Sequence, residues 1–514
     1  MRHTPQVVVI GAGIGGLAAA LDLARQGLAV TLLDRRPVPG GKLRSVTAGG
    51  QPIDSGPTVF TLRTVFEELF ADAGTSLADH LSLRRAEILA RHAWSERERL
   101  DLFADVARSE AAIGAFAGAA AARGFRAFCA RARDIWRTLE HGFVRAPAPS
   151  PLSLVRGAGL RGAGALWRIA PFVTLWSALG SYFADARLRQ LFGRYATYAG
   201  SSPFLAPATL MLIAHVEQDG VWLVEGGMQR LAQALATVAA ARGVRLRCGA
   251  TVAAIETQAG AVAGVRLADG ERIAADAVVF NGDAAALAAG LLGPDVTGSA
   301  PSMSVASRSL SAVTWAMTAT PRGFPLLRHN VFFSPDYAAE FAALRQADRL
   351  PPTPTVYVCA QDAGADGAPP PDGAQRLLCL VNAPATGDLR PLSPTETAAC
   401  EQAMLTRLAA CGLTLERDPT QTVLTTPAEF AALFPGTGGA LYGAAVHGPT
   451  ASFQRPRAAT PIAGLYLAGG STHPGAGLPM ALLSGRMAAA RLMADLASTA
   501  RSPPAATPGG ISTR

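Results

Sequence analysis

The chain opens on a β-branched run, Val7 to Ile10, that breaks directly into the pattern G-x-G-x-x-G at Gly11, Gly13 and Gly16. A helix-forming stretch, Leu17 to Gln26, comes next, and a second apolar run, Ala29 to Leu33, ends at Asp34. Asp34 follows Gly16 by 18 positions, close to the spacing of about 20 between a phosphate-binding turn and the acid that accepts the ribose hydroxyls. No other feature restricts the chain as much, because strand, turn, helix, strand and acid must all be present and in order. They predict a βαβ unit in a doubly wound α/β fold. The first glycine allows the tight turn, the second lets backbone N–H groups approach a pyrophosphate, and the third lets helix and strand pack closely. The helix N-terminus then turns its partial positive charge toward the phosphates.

An acid at Asp34 argues against a bound 2′-phosphate, but the pattern alone leaves NAD and FAD open. Just beyond it come DRRPVPGGKLRSV and PIDSGPTVF, which supply Gly40, Gly41, Lys42, Arg44, Asp54, Ser55, Gly56 and Pro57. A second glycine pair with basic residues extends backbone and charge contacts along a longer cofactor, which suits FAD better than NAD. Near the other end, GLYLAGGSTHPGAGLPMALLSGRMAA again reads strand, glycine-rich turn, helix, through Gly469, Gly470, His473, Pro474, Gly475, Gly477 and Pro479. Such a turn can bring backbone N–H groups to the flavin ring or its ribityl chain. Two glycine-rich helix openings at opposite ends predict one composite site, and a fold that held them apart would contradict it.

Composition excludes several other classes. The formal charge is +8, yet the basic residues are scattered arginines, with Lys42 the single lysine. Without a dense run or interleaved aromatics, no nucleic-acid partner is expected; weak attraction to anionic lipid is compatible with the same charge. Only 16% of residues are charged, against roughly a quarter in ordinary soluble proteins, and the mean hydropathy is +0.23. Both lean toward apolar partners. The cysteines, Cys129, Cys248, Cys359, Cys379, Cys400 and Cys411, form no C-x-x-C pair and read as buried thiols in a reducing, cytoplasmic setting. No Cys, His and carboxylate cluster has zinc spacing, so no metal is expected. The glycines between Val7 and Ala20 do not suit a signal-peptide core. No uninterrupted apolar run is long enough for a membrane span, the best candidate being broken by Arg168 and Pro171. The chain is expected to be soluble or to lie on a membrane face.

At 514 residues the chain should hold two or three domains. A β-rich block from Gly243, with VRLRCGATVAAIE, AVAGVRLADGERI and ADAVVFNGD, suits a nucleotide domain that resumes after an insertion. Between the two blocks, Arg63 to Asp219 carries helical patterning, including Ser109 to Arg137. Within it, Phe143 to Phe183 mixes Trp167, Phe172, Trp176, Tyr182 and Phe183 with Arg156, Arg161 and Arg168. That composition fits an interfacial segment with aromatic anchors and basic rims, or an ordinary core helix after a loop. From Pro301 to about Pro456, strand-like PTVYVCAQD and RLLCLVNAPA accompany a helical TETAACEQAMLTRLAACG. The expected division is a discontinuous nucleotide domain over 1–75, 220–295 and 456–497, a helical substrate- or membrane-associating region over 76–219, a substrate-binding domain over 296–455, and a disordered tail over 498–514.

With these motifs in view, VVVIGAGIGGLAAALDLARQG, PGGKLRS, DSGPTVF, GVWLVEGGMQRLAQAL, VVFNGD and LYLAGGSTHPGAGLPM resemble, in order and spacing, the bacterial phytoene desaturase family of flavoproteins. That family is a branch of the amine oxidase-like fold, and the resemblance runs from Val7 to about Leu496. It implies a Rossmann-like FAD-binding domain with an inserted α+β substrate domain. It also implies FAD contacts at Gly11, Gly13, Ile14, Gly15 and Gly16, at Asp34 and Arg35, and at Gly41, Lys42, Leu43 and Arg44. Further contacts are implied at Gly56, Pro57 and Thr58, and at Val252 and Asn281. The C-terminal set is Gly469, Gly470, His473, Pro474, Gly475, Gly477, Leu478, Pro479 and Met480. Within the family, GSSPFLAPATLMLIAHVEQDGVWLVEGGM, HNVFFSPDY, TVYVCAQD and GGSTHPGAGLPMA look most like the hydroxyneurosporene or methoxyneurosporene desaturases, which introduce the 3,4 double bond in acyclic 1-hydroxy or 1-methoxy carotenoids. Phytoene desaturases tend to read GAGTHPGAGIPGV where this chain carries Gly470, Ser471, Leu478 and Met480.

The chemistry implied is transfer of hydride from an allylic carbon to the flavin and loss of a proton from the neighbouring carbon, with the protein contributing mostly placement. The substrate implied is a long polyene delivered from the inner membrane, to which the protein would be peripheral; the electron acceptor is not readable. An elongated apolar tunnel should carry most of the selectivity, with one polar partner for the substrate hydroxyl near its end or mouth. Glu217, Asp219 and Glu225 are carboxylates near motif residues, but none is assigned as proton acceptor. His473 suits stabilising its turn as well as touching flavin or substrate. The same scaffold also leaves open multi-step phytoene desaturation, carotenoid isomerisation, and amine or protoporphyrinogen oxidation. A lipid carrier without flavin is the non-enzymatic alternative.

Overall fold

The computed structural model describes residues 4–150, 172–346, 349–368 and 372–501. A five-stranded parallel sheet is drawn from distant parts of the chain, in the spatial order Leu465–Leu467, Ala277–Phe280, Gln6–Ile10, Ala29–Asp34, Arg245–Cys248. Its register sets Ile10 beside Phe280 on one side and Leu33 on the other, with Phe280 beside Leu467. The loops that follow these strands therefore leave the sheet together at its carboxyl edge, where doubly wound folds bind ligands.

Both faces of the sheet are covered, which is why its strands read as continuous apolar runs rather than alternating ones. Val7, Val9 and Leu32 pack under the first helix (Ile14–Arg25), the helix Gln229–Ala241 and the last helix (Leu478–Arg501), through Leu17, Leu21, Leu231 and Leu482. Val8, Ile10 and Leu33 point the other way, onto Ile255, Val265 and Leu267 of an antiparallel meander, Val252–Gln258, Ala261–Leu267, Arg272–Ala274.

A second, seven-stranded sheet runs Thr414–Thr425, Ser311–Arg322, Gln375–Ala383, Val356–Ala360, His329–Phe332, Ile88–Ala93, Arg99–Phe103. The helical expectation for residues 76–219 fails at its start. The hairpin Ile88–Ala93 and Arg99–Phe103 joins this sheet by parallel pairing with His329–Phe332, and Leu83–Arg85 pairs with Trp222–Val224. The period-two signal is present in RLDLF, with Leu100 and Leu102 buried, but the strand that ties its hairpin into the sheet, His329–Phe332 beside Ile88–Ala93, lies more than two hundred residues away in sequence. The helical stretch around Ser109 to Arg137 is two helices, Val106–Ala117 and Ala119–Leu139, parted by Gly118 at φ +88°.

Two further expectations fall partly on residues 151–171 and 502–514, outside the described residues. The interfacial reading of 143–183 is one. The disordered tail is the other, and the last helix continues to Arg501, past the boundary expected at 498. No helix among the described residues is long and apolar enough to cross a membrane. All six cysteines are free thiols, and five of them are buried.

Candidate active site

At the carboxyl edge of the parallel sheet, Gly11 takes φ +99° and donates its N–H to Leu33 O at 2.7 Å. Asp34 folds the turn over the neighbouring strand: its Oδ2 accepts from Ala12 N at 2.7 Å and its Oδ1 from Arg36 N at 2.8 Å. Each oxygen keeps a lone pair for a ribose hydroxyl. A Cβ on Gly16 would lie 2.0 Å from Gly11 O, so only glycine lets the helix start this close to the strand. That helix begins at Ile14 with no side-chain cap and no acid in its first turn, which leaves its positive end to an anion.

Asn281 joins this turn to the one at the other end of the chain. Its Nδ2 donates to Gly11 O at 2.9 Å, and its Oδ1 lies within 2.8 Å of where a Cβ on either Gly15 or Gly469 would be. A Cβ on Gly15 would also come 3.1 Å from the Cα of Gly469, and one on Gly41 would come 3.1 Å from the Cα of Gly13. The glycine turns near residues 13, 41 and 469 are thus in mutual contact, and the composite site expected from the motifs is physically one place.

A single cavity of about 920 Å³ opens there, at the upper end of the roughly 300–1,000 Å³ usual for small-molecule sites. Every residue expected to touch the cofactor lines it except Gly16 and His473. Gly16 is buried beneath its turn. His473 turns away: its Nε2 lies 2.8 Å from Ala146 O and its ring stands edge-on to Phe143, so it ties the C-terminal turn to residues 143–146. Lys42 donates to Leu441 O at 2.5 Å; burial lowers its pKa, with Asp283 opposing. Arg455, which no motif marks, donates to Tyr442 O and Gly470 O at 3.1 Å and to Ala444 O at 2.9 Å, and burial pushes it down to about 10. A helix N-terminus, an acid for ribose, three glycine cradles and buried cations make a donor set that fits a flavin dinucleotide.

Away from the glycines the wall becomes aliphatic and aromatic. Trp136, Leu139 and Phe143 come from one side, Leu210, Ile213 and Val216 from another, and Leu378 and Leu380 from the seven-stranded sheet. Two polar clusters face this wall; sequence reasoning marked Thr58 and Glu217 in them but missed Tyr357, His329, Arg194 and the tyrosines. The Tyr357 hydroxyl lies 2.7 Å from both Thr58 Oγ1 and His329 Nδ1, and burial pushes His329 down to about 3, so it is neutral. Glu217 accepts from Tyr195 at 2.7 Å and from Tyr198 at 2.5 Å, and Arg194 donates to the Tyr198 hydroxyl at 3.2 Å. Glu217 lines the cavity, whereas Asp219 is exposed and Glu225 pairs with Arg84 at the surface, 3.0 Å away.

Comparison with known proteins agrees with this geometry. The family model for flavin containing amine oxidoreductase matches residues 14–493. The hydroxyneurosporene desaturase of Rubrivivax gelatinosus is 53% identical, over 100% of this chain and 98% of its own length. That of Cereibacter sphaeroides is 46% identical, over 97% and 99%. Among solved structures, cyclohexylamine oxidase from Brevibacterium oxydans superposes with a TM-score of 0.56 at 16% identity, over 96% of this chain and all of its own, which speaks to fold alone. The chain belongs to the flavin containing amine oxidoreductase family and, within it, to the carotenoid desaturase family.

Proposed function

We propose that this chain is an FAD-dependent carotenoid desaturase that introduces the C3–C4 double bond into acyclic 1-hydroxy or 1-methoxy carotenoids. The observation that carries this reading is one continuous cavity, with a dinucleotide cradle at one end and an apolar wall at the other. When bound, the flavin supplies a two-electron acceptor for hydrogen leaving a carbon that no heteroatom activates. The protein's own residues hold the polyene and exclude water. Burial of its hydrocarbon surface is favourable by roughly 25 cal/mol per Å², so the apolar wall supplies binding while the polar points fix position along it.

The reading extends to organisation. The stretches 1–75, 220–295 and 456–497 form the cofactor domain and residues 296–455 the substrate domain, with 76–219 as the region facing the lipid. Supporting the last part, Phe172 is 74% exposed and Val173 41%, and the adjoining Leu205 is 37% exposed. Leu175 N donates to Ala206 O and Ala208 N to Val173 O, so the two segments that carry these exposed side chains run side by side, next to the cavity-lining Pro207, Thr209 and Leu210. Such a patch fits peripheral contact with the cytoplasmic face of the inner membrane, from which the substrate would enter.

Anaerobic incubation of the flavin-loaded protein with 1-hydroxyneurosporene tests the reaction. Flavin absorbance should bleach while the polyene absorption moves to longer wavelength. Bleaching with phytoene alone would shift the reading to phytoene desaturation, and no bleaching with any of these polyenes would end it.

A further inference from the structure

The substrate of the proposed reaction carries its oxygen on C1, two bonds from C3, where the new double bond begins. A receptor for that oxygen therefore has to lie inside the cavity, close to the bond being oxidised, and not at a distant mouth. Arg194 is the side chain in the cavity wall best suited to this role. It lines the cavity, and among the described residues the one hydrogen bond its guanidinium makes is that to Tyr198, with no carboxylate within ion-pair distance. Its Nε is buried without a partner among the described residues, and leaving such a donor unmet is costly, which favours an acceptor in the cavity.

The side chain is held for the purpose. Tyr198 accepts from Arg194 and donates to Glu217, whose second oxygen is taken by Tyr195, and the guanidinium also lies over the Tyr198 ring, 5.1 Å from its centroid. Burial works against the Arg194 cation, while the nearby Glu217 charge and the hydrogen bond to Tyr198 favour it. Joined through Tyr198, the Arg194 and Glu217 charges cancel, so the unit as a whole does not oppose positive charge developing on nearby polyene carbons. Resting on the desaturase reading above, we infer that Arg194 is the specificity-determining residue that hydrogen-bonds the terminal oxygen of the polyene, positioned by Tyr198, Glu217 and Tyr195. The donor type adds a detail. A guanidinium only donates, and both a hydroxyl and a methoxyl oxygen accept, so one residue serves both substrate classes and rejects a bare hydrocarbon end.

The test compares three acyclic polyenes of equal length, ending in a 1-hydroxyl, a 1-methoxyl or plain hydrocarbon, each in binding (quenching of tryptophan fluorescence, with Trp136 in the cavity wall) and in turnover. The wild-type chain should bind both oxygenated polyenes at least about 10-fold more tightly than the hydrocarbon, as expected of one charge-assisted hydrogen bond. Arg194→Met should lose roughly 10–100-fold in binding and kcat/KM for both oxygenated substrates and be unchanged or improved on the hydrocarbon. Tyr198→Phe, which leaves the guanidinium in place but unguided, should show a smaller loss with the same selectivity, and Arg194→Lys should recover part of it. Equal wild-type binding of all three polyenes overturns the inference, as does an equal loss on all three in a variant that keeps its flavin. If Arg194→Met does not fold, the wild-type comparison and Tyr198→Phe decide. Failure of the wild-type chain to desaturate any of them would instead sink the reaction assignment, a separate outcome.

Discussion

Glu340 is 2% exposed, and no cation shifts its titration. It is held by Thr355, whose N–H donates to Oε1 at 3.0 Å and whose Oγ1 donates to Oε2 at 2.7 Å. Burial nonetheless outweighs these bonds and raises its pKa to about 7. The folded chain then binds a proton that the unfolded chain releases near the ordinary value of 4.5. Its contribution is fully present below that value and is lost as pH rises through about 7, because the unfolded state holds fewer protons across that window. Glu340→Gln removes this dependence. Relative to wild type, the variant should gain stability between pH 5 and pH 8, by on the order of 3 kcal/mol, in denaturant titrations at the two pH values. A wild-type-to-variant difference that does not change with pH would contradict it. Residue-scale legibility divides along the same line. Asp34 and the glycines at 11, 13 and 16 were readable because their chemistry is set by spacing within one βαβ unit. Arg194 and Tyr198 were not, and Glu217 was marked only as a carboxylate beside a motif without a role, because their meaning lies in a cavity that only the fold assembles; Arg455 sits in a loop with no motif around it.

Elements meet where side chains vanish. The last helix lies on the first so closely that a Cβ on Gly485 would stand 2.0 Å from the Gly15 carbonyl. Gly15 belongs to the phosphate turn, so pushing the helices apart should disturb the cofactor cradle as well as the core. Gly485→Ala is expected to cost about 1–3 kcal/mol, as overpacking does, and to lower the flavin retained per chain after gel filtration. Gly298→Ala is the control: that residue is exposed in a short helical turn, with nothing within 4 Å of the new atom. Equal behaviour of the two variants would show that the close approach does not matter. The reading of sequence found this last helix and its glycine turn, and the central βαβ unit, because each is announced by its own local pattern. It misread residues 88–103, whose strands are justified by a distant partner, and it ran through Gly118, a visible breaker inside an alanine-rich run that local periodicity alone could not outweigh.

At the scale of the whole molecule, three remote segments close one site, while the exposed Phe172, Val173 and Leu205 sit on segments next to the cavity-lining Pro207, Thr209 and Leu210. If the patch seats on a bilayer, each large side chain entering the interface contributes on the order of 2 kcal/mol, while the surplus of positive charge, +8, adds a weaker attraction to anionic lipid. Phe172→Asp combined with Leu205→Asp should reduce co-sedimentation with anionic lipid vesicles by at least about tenfold. Because both residues are exposed, thermal stability and flavin content should stay at wild-type values. Delivery of the polyene then separates docking from chemistry: turnover of substrate embedded in vesicles should fall with binding, while turnover of detergent-dispersed substrate should not. Undiminished vesicle binding by the double variant would remove the patch from the membrane contact. Loss of turnover in detergent as well would place these side chains in the cavity's own architecture, where an aspartate disturbs the apolar wall directly.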